Sequence, residues 1–438
     1  MTVIQNVGAR RLPTASSLRI MSASFVGTTL EFYDFFIYGT MAALVFKQLF
    51  FPGYSNLAGT LAAFGTFAVG FIARPLGSVF FGFMGDRLGR RATLVLSLCL
   101  MGGSTVAIGL LPSFATAGIM APILLVVIRL VQGLALGGEW GGAALLLVES
   151  APAHRKSLMG SIVQMGAPAG LLLATGVTAV SSAFAGDHFA TWGWRIPFLF
   201  SAILLAVAFW IRHGVAETPE FVAMQAHDID PPRMPLRTVF RERGKALLLA
   251  FCLASPGNVI FTLVSAYTLS YTTVTLGMPR APVLTALMAA SLIYLFTIPL
   301  FGALADRIGQ RKVIGFGCFA ALLFAFFYFQ ALDSRSVYRV FFAMTGALAI
   351  VHAALQAPQA GLFASWFRVE QRYTGVALAQ AIPTTVIGGT APLLATYFMA
   401  STGNTIAISA YVGALGILGL VAALVRSAGS HERDGLLA

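Results

Sequence analysis

A short charged string occurs twice in this chain, each time wedged between two long apolar runs. The first copy, Gly-Phe-Met-Gly-Asp-Arg-Leu-Gly-Arg-Arg, runs from Gly82 to Arg91, and the second, Gly-Ala-Leu-Ala-Asp-Arg-Ile-Gly-Gln-Arg-Lys, runs from Gly302 to Lys312. Asp86 matches Asp306, Arg87 matches Arg307 and Gly89 matches Gly309. Only 10% of the residues are charged, 58% are hydrophobic and the mean hydropathy is +0.84. A soluble domain of this length needs far more charge to cover its surface. Two such islands in matching registers therefore mark a duplicated membrane domain, a design in which the duplication is part of the mechanism.

Apolar stretches long enough to cross a hydrocarbon layer of ~30 Å fall at about 19–46, 60–83, 93–111, 118–147, 157–181 and 194–213. A second set falls at about 246–274, 283–304, 313–331, 338–362, 375–400 and 405–426. The reading is an all-α integral membrane protein of twelve transmembrane helices in two six-helix bundles. The first bundle is expected over 1–213, a cytoplasmic linker over 214–245, the second bundle over 246–426 and a short tail over 427–438. No cleavable signal peptide is expected ahead of the first span, because the N-terminus is polar and carries Arg10, Arg11 and Arg19.

An even number of spans puts both ends on one side. Among the 28 Lys and Arg residues, only Lys47, Arg280, Arg335 and Arg339 fall on the opposite side, and only Arg74, Arg129 and Arg195 fall within spans. The positive-inside rule then places both termini in the cytoplasm. The net charge of +12 is thus a topology signal and not a nucleic-acid footprint. The linker, with Pro231, Pro232 and five basic residues from Arg233 to Lys245, reads as polar chain with a short amphipathic stretch on the cytoplasmic leaflet. Cys99, Cys252 and Cys318 lie in apolar runs without metal or disulfide spacing. No cofactor or metal is expected.

Glycine gathers where helices must touch. Gly133, Gly137 and Gly141 repeat every four residues and give span 4 a small-residue stripe. Gly166, Pro168 and Gly170 in span 5, and Pro383, Gly388, Gly389 and Pro392 in span 11, mark helices expected to bend.

Ionisable groups inside a membrane are costly and normally face a cavity or a partner. Here they are confined to the first half: Glu31 and Asp34 on span 1, Arg74 on span 2, Arg129 and Glu139 on span 4, and Arg195 near the outer end of span 6. The second half offers neutral groups within its spans, among them His352, Gln356, Gln359 and Gln380. A buried arginine stays charged and presents a two-pronged fork to a carboxylate. Arg74 and Arg195, with Tyr33, Tyr38, Gln164, Tyr267 and Gln356 around them, are therefore the expected substrate contacts. Glu31 and Asp34 lie three residues apart, on one helix face, and can share a proton beside a low-dielectric cavity. They are the expected proton-coupling pair, with Arg129 tuning them and Glu139 next in order. A second reading stays open: Glu31 and Asp34 neutralise Arg74 and Arg129, and Arg195 pins the corner between spans 5 and 6.

The repeated island reads as a gate. An aspartate at a helix end can cap the N-terminus of a helix from the other half. Arg87, Arg90 and Arg91 are expected to pair with Glu149, and Asp306, Arg307 and Arg311 to form the matching gate in the second half.

These residues carry a family resemblance. Gly82 to Arg91 resembles the signature loop of the major facilitator superfamily, and Arg129-Leu-Val-Gln-Gly133 resembles its span 4 motif. Leu30-Glu-Phe-Tyr-Asp-Phe35, Ala73-Arg-Pro75, Gly137-Gly-Glu-Trp-Gly141, Trp192-Gly-Trp-Arg-Ile-Pro-Phe198 and Arg372-Tyr-Thr-Gly375 resemble motifs of its metabolite:proton symporters. That group includes carriers of α-ketoglutarate, citrate, shikimate and proline/betaine. The resemblance implies the major facilitator fold and proton-coupled uptake by alternating access. The chain departs from the group in three places. Phe32 stands where the group commonly has a tryptophan, which removes an indole donor. Ser365-Trp-Phe-Arg368 replaces a loop that commonly carries a glutamate, which implies a weaker gate and a milder effect at Asp306 than at Asp86. The long coiled-coil tail of the osmosensing members is absent, so osmosensing is not expected.

The expected function is proton-coupled import of a small organic acid, a mono- or dicarboxylate or a hydroxylated ring acid. The expected partners are that anion, H+ and the lipid bilayer of a bacterial cytoplasmic membrane, with the monomer as the working unit and no nucleic acid. An efflux antiporter of the same fold is the alternative. A facilitator without proton coupling is another, and two signature loops argue against a channel. An enzyme is excluded, because the sequence has neither a His/Cys/Asp cluster nor a nucleophile–base pair.

Overall fold

A computed structural model describes residues 14–88, 90–137, 139–213, 235–367 and 372–425. Within these, side chains are described except at 14–20, 23, 82–83, 85–88, 90–94, 139, 146, 150, 153, 211–213 and 235–238. Gly89 and most of the expected linker lie outside the described residues.

The described residues form twelve transmembrane helices, with no strand among them. The first six are α1 (14–50), α2 (Asn56–Leu88), α3 (Arg90–Leu110), α4 (120–150), α5 (156–185) and α6 (Arg195–His213). The second six are α7 (235–275), α8 (Arg280–Ile308), α9 (Gln310–Asp333), α10 (337–364), α11 (372–402) and α12 (Ile406–Leu424). Ten are long and apolar enough to cross a membrane, while α3 and α6 hold shorter apolar stretches, Val95–Leu110 and Arg195–Trp210.

Within the first bundle α1 lies along α5, α2 along α4 and α3 along α6, and in the second α9 lies along α12. The two bundles meet along α5–α8 and α2–α11. The signature-loop face is the end where α2 meets α3 and α8 meets α9; the other end is the opposite face.

Glycine sets the closest approaches. A Cβ at Gly133 would strike the Gly70 carbonyl, one at Gly77 the Leu134 carbonyl, and one at Gly137 the Arg74 carbonyl. The α2–α4 seam is therefore backbone against backbone, the packing that small residues permit in a membrane. Gly166 and Gly170 seat α5 against Thr28, Thr29 and Tyr33 of α1 in the same way. The glycine stripe of α4 does not stay on one face. The helix breaks after Gly137, and Gly141 instead meets Ala377 of α11, 3.0 Å from where its Cβ would stand. Ser78 donates to the Gly137 carbonyl across the same seam.

This packing yields a stability prediction. Gly133→Val should destabilise the protein beyond the roughly 1–3 kcal/mol of ordinary overpacking, because its obstacle is backbone. Gly65→Ala, where nothing lies within 4 Å, is the matched control. Thermal unfolding of the two purified variants in detergent checks it; equal melting temperatures would refute the seam.

Several of the membrane helices depart from regular winding. Wider, π-helical turns occur at Ala42–Phe46 in α1, Leu263–Tyr267 and Tyr271–Thr275 in α7, Gly346–His352 in α10 and Thr384–Gly388 in α11. Such turns often mark functional positions. The one in α11 sits where Pro383, Gly388 and Gly389 lead the sequence reading to expect a bend.

Candidate functional site

A cavity of about 760 Å³, its open mouth included, lies between the bundles at mid-membrane. The first half contributes Glu31, Phe32 and Phe35 from α1, Phe71 and Arg74 from α2, and Trp140 from α4. The second half faces them with Asn258, Phe261 and Thr262 from α7, His352 and Gln356 from α10, and Gln380 and Thr384 from α11. The wall is thus ionic on one side and neutral on the other.

Arg74 owes its setting to the residue after it. Pro75 has no amide hydrogen, so the Phe71 carbonyl, four residues back, loses its helical partner. That carbonyl instead accepts the Thr385 hydroxyl from α11 at 2.8 Å, tying the bundles together beside the site. The Arg74 guanidinium stacks over the Phe71 ring at 4.5 Å and approaches the Phe35 ring at 5.8 Å. Aromatic faces hold a cation in place without neutralising it. The Arg74 Nε is buried without a hydrogen-bond partner among the described residues. Glu31, 4% exposed, shares the cavity wall with it.

The neutral wall is ordered by its own bonds. Thr384 donates to Asn258 Oδ1 at 2.9 Å, and Asn258 Nδ2 donates to the Ala254 carbonyl at 3.0 Å. His352 stacks on Phe261 with ring centres 4.7 Å apart. Gln356 and Gln380 each keep a buried side-chain oxygen without a partner among the described residues.

Of the expected substrate contacts, only Arg74 and Gln356 line this cavity. Tyr33 turns away, its hydroxyl donating to the Pro197 carbonyl of α6 at 2.7 Å. Tyr38 donates to Thr66 at 2.6 Å and carries the Arg129 guanidinium on its ring at 4.0 Å. Arg195 donates to the Gly109 and Leu111 carbonyls, both at 2.7 Å, and stacks on Trp194, so it ties the start of α6 to the end of α3 rather than facing the cavity or pinning the corner between spans 5 and 6. Tyr267 stacks on Tyr271 inside the second bundle, its hydroxyl 3.5 Å from the Ala395 carbonyl. Gln164 lies behind the wall, where it accepts from the indole of Trp140 at 3.3 Å.

The expected proton-coupling set divides as well. Glu31 faces the cavity, whereas Asp34 accepts from Ser201 of α6 at 3.2 Å. Arg129 is buried between α1, α2 and α4, donating to Gln132, which in turn donates to Thr105 at 2.6 Å. The Glu139 side chain lies outside the described residues.

On the signature-loop face Asp306 accepts from the backbone amides of Ser157 and Leu158, each at 2.9 Å, at the N-terminus of the α5 stretch Lys156–Gln164. Gln310 adds a bond to the Ser157 hydroxyl at 2.8 Å. The serine loop between α10 and α11 therefore does not deprive Asp306 of partners, while Asp86, beside which its effect is expected to be milder, has its side chain outside the described residues. Glu149 pairs at 3.1 Å with Arg372 from the other bundle. The side chains of Asp86, Arg87, Arg90 and Arg91, and Gly82 and Gly89 with them, lie outside what is described. Arg307 is exposed, and Arg311 donates to the Val425 carbonyl within its own half. The opposite face is joined too: Gly39 of α1 abuts Ala266 of α7, and Arg280 stands over the Phe189 ring at 5.7 Å. Described residues of the two bundles thus touch on both sides of the cavity.

Asp306→Ala should lose two charge-assisted bonds to a helix N-terminus of the other bundle, bonds that are expected to break when this face opens. A loss of about 1–2 kcal/mol shifts the population about five- to thirty-fold toward opening here. Labelling of a cysteine placed at Ala381, in a background without Cys99, Cys252 and Cys318, should accelerate accordingly. Unchanged labelling would remove Asp306 from the gate.

The cavity residues that the sequence reading did not assign are Trp140, Asn258, Thr262, Thr384 and the four phenylalanines. Trp140 sits inside a motif already singled out, and Asn258 stands alone among apolar neighbours in its span, so both left a signal. Phe32 and Phe35 likewise lie in the quoted span 1 motif, whereas Phe71 and Phe261 left no signal in a chain with 36 phenylalanines.

Comparison with known proteins matches these features. A model of the sugar (and other) transporter family matches residues 20–234, and one of the Major Facilitator Superfamily matches residues 258–435. The shikimate transporter of Escherichia coli K12 is 41% identical over 410 residues, covering 92% of this chain and 93% of that protein. The inner membrane metabolite transport protein YhjE of the same organism is 38% identical, covering 96% of each. The proline/betaine transporter of Salmonella typhimurium is 32% identical, covering 96% of this chain and 84% of that protein. Among solved structures, a D-xylose–proton symporter superposes with a TM-score of 0.71 at 20% identity, covering 93% of this chain and 96% of that one. With the duplicated signature, the twelve spans and the relatives in agreement, the chain belongs to the major facilitator superfamily and, within it, to the metabolite:proton symporters.

Proposed function

We propose that the protein takes up a small organic anion together with a proton by alternating access, working as a monomer in a bacterial cytoplasmic membrane with both termini inside. The observation that carries this reading is the presence of Glu31 and Arg74 on one wall of a central cavity whose other wall is neutral.

The coupling follows from charge. With Glu31 ionised and no substrate, the pair Glu31–Arg74 is neutral overall. With Glu31 protonated and a carboxylate on Arg74, it is neutral again. Substrate without the proton leaves one negative charge in a closed, low-dielectric site, and the proton without substrate leaves one positive charge. Uncompensated charge in the membrane interior costs several kcal/mol, so only the two neutral states close and cross over readily. Arg74 thereby exchanges one carboxylate for another, and the proton is what releases the first.

The relatives support uptake over efflux, since they are named as transporters of shikimate, of metabolites and of proline and betaine. Proteoliposomes under an inward proton gradient, offered a panel of radiolabelled organic acids, test the reading. Accumulation of one acid, abolished by a protonophore, is the expected result. Expulsion of preloaded acid under the same gradient would overturn it in favour of the antiporter.

A further inference from the structure

His352 and Gln356 stand one turn apart on α10 and so share a helix face. Both line the cavity, and both are buried, at 3% and 6% exposure. The coupling scheme uses neither. The imidazole is held in place twice over: its ring lies flat on Phe261, at an interplanar angle of 16°, and its Nδ1 shares a hydrogen bond with the Tyr294 hydroxyl of α8.

The direction of that bond follows from counting donors and acceptors. Tyr294 is fully buried, and its hydroxyl has no other partner among the described residues. Were Nδ1 the donor, the tyrosine O–H would be left without an acceptor, which is the expensive arrangement for a buried polar group. Tyr294 therefore donates to Nδ1, and the imidazole proton resides on Nε2. No described protein group bonds Nε2, and none bonds Gln356 Oε1. The cavity wall thus carries a positioned N–H donor and, one helical turn on, a side-chain carbonyl with no partner among the described residues. A hydroxyl can satisfy both at once, accepting from the first and donating to the second.

We propose that His352 and Gln356 form a hydroxyl-reading pair that selects hydroxylated carboxylates, with Tyr294 as the positioning residue that sets the imidazole tautomer. This rests on the uptake reading above, in which Arg74 takes the carboxylate. An acid of the same skeleton without hydroxyls leaves two buried groups unpaired, and sites built around a substrate hydroxyl reject such analogues strongly.

The test uses two matched pairs of monocarboxylic acids in proton-driven proteoliposomes: shikimate against cyclohexenecarboxylate, and lactate against propionate. For at least one pair, the wild-type protein should prefer the hydroxylated acid by about a hundredfold in Vmax/KM. His352→Phe and Gln356→Leu should each shrink that preference at least tenfold, weakening the hydroxylated acid and leaving its analogue within about twofold. Tyr294→Phe should raise the KM of the hydroxylated acid alone, and His352→Gln, which keeps an N–H donor, should recover part of the preference. A wild-type protein that takes up carboxylates without regard to hydroxyls overturns the pair alone, a result that needs no variant to fold. So does an equal loss for both acids of a pair in His352→Phe. Failure of every carboxylate to accumulate overturns the uptake reading and the pair with it.

Discussion

Replacing Arg74 with lysine is expected to cut uptake at least about a hundredfold while the protein still folds and inserts. Lysine keeps the charge but offers a compact ammonium where the guanidinium offers a flat fork, and only the fork meets both carboxylate oxygens while stacking on Phe71 and Phe35. Losing one charge-assisted bond and the stacking together amounts to about 3 kcal/mol, which is roughly a hundredfold in affinity. Arg74→Ala should abolish binding outright and leave Glu31 without its compensating charge, so that variant should also be less stable. Equilibrium binding to the detergent-purified variants separates affinity from turnover. Near-normal binding by Arg74→Ala would remove Arg74 as the anchor.

Glu31→Gln is expected to uncouple transport without blocking it. Glutamine imitates the protonated carboxyl, so Arg74 is free for substrate at every pH, and the loaded cavity stays neutral and crosses over. The empty cavity then carries an unbalanced positive charge, so the unloaded return is suppressed by the cost of that charge. Exchange of labelled for unlabelled acid should therefore persist at close to the wild-type rate. Net accumulation under a proton gradient should fall by more than tenfold, and its pH dependence should flatten. If Glu31→Gln accumulates like the wild type, the coupling carboxylate lies elsewhere, and Asp34 is the next to replace with asparagine.

How far the sequence could be read differs between the fold and the site, for physical reasons. The spans are legible because lipid forces every one of them to be a long apolar helix, and the repeated island between them shows the duplication. Arg74 and Glu31 are legible because an intramembrane charge is too costly to persist without a task. The residues around them are not, because helical periodicity gives the phase of a residue but not the neighbour that each stripe faces. Asp34 lies three residues from Glu31, yet that stripe belongs to α6, where Ser201 meets it, and Tyr33 belongs to Pro197. Arg195 carried the same charge as Arg74 and looked equally suited to an anion. What distinguishes them is a pair of free carbonyls at the end of α3, which only the folded chain brings within reach.

The glycine seam between α2 and α4 has a consequence for how carriers of this kind change cargo over evolutionary time. Arg74 is mounted between Gly70 and Gly77, so its position is fixed by main chain resting on main chain, and few sequence changes can move it. The facing wall hangs from α7, α10 and α11, each loosened by π-helical turns, and its contacts are side chains that mutation can exchange one at a time. A lineage can therefore redraw the far wall one side chain at a time, while Arg74 keeps its place on the opposite wall beside Glu31.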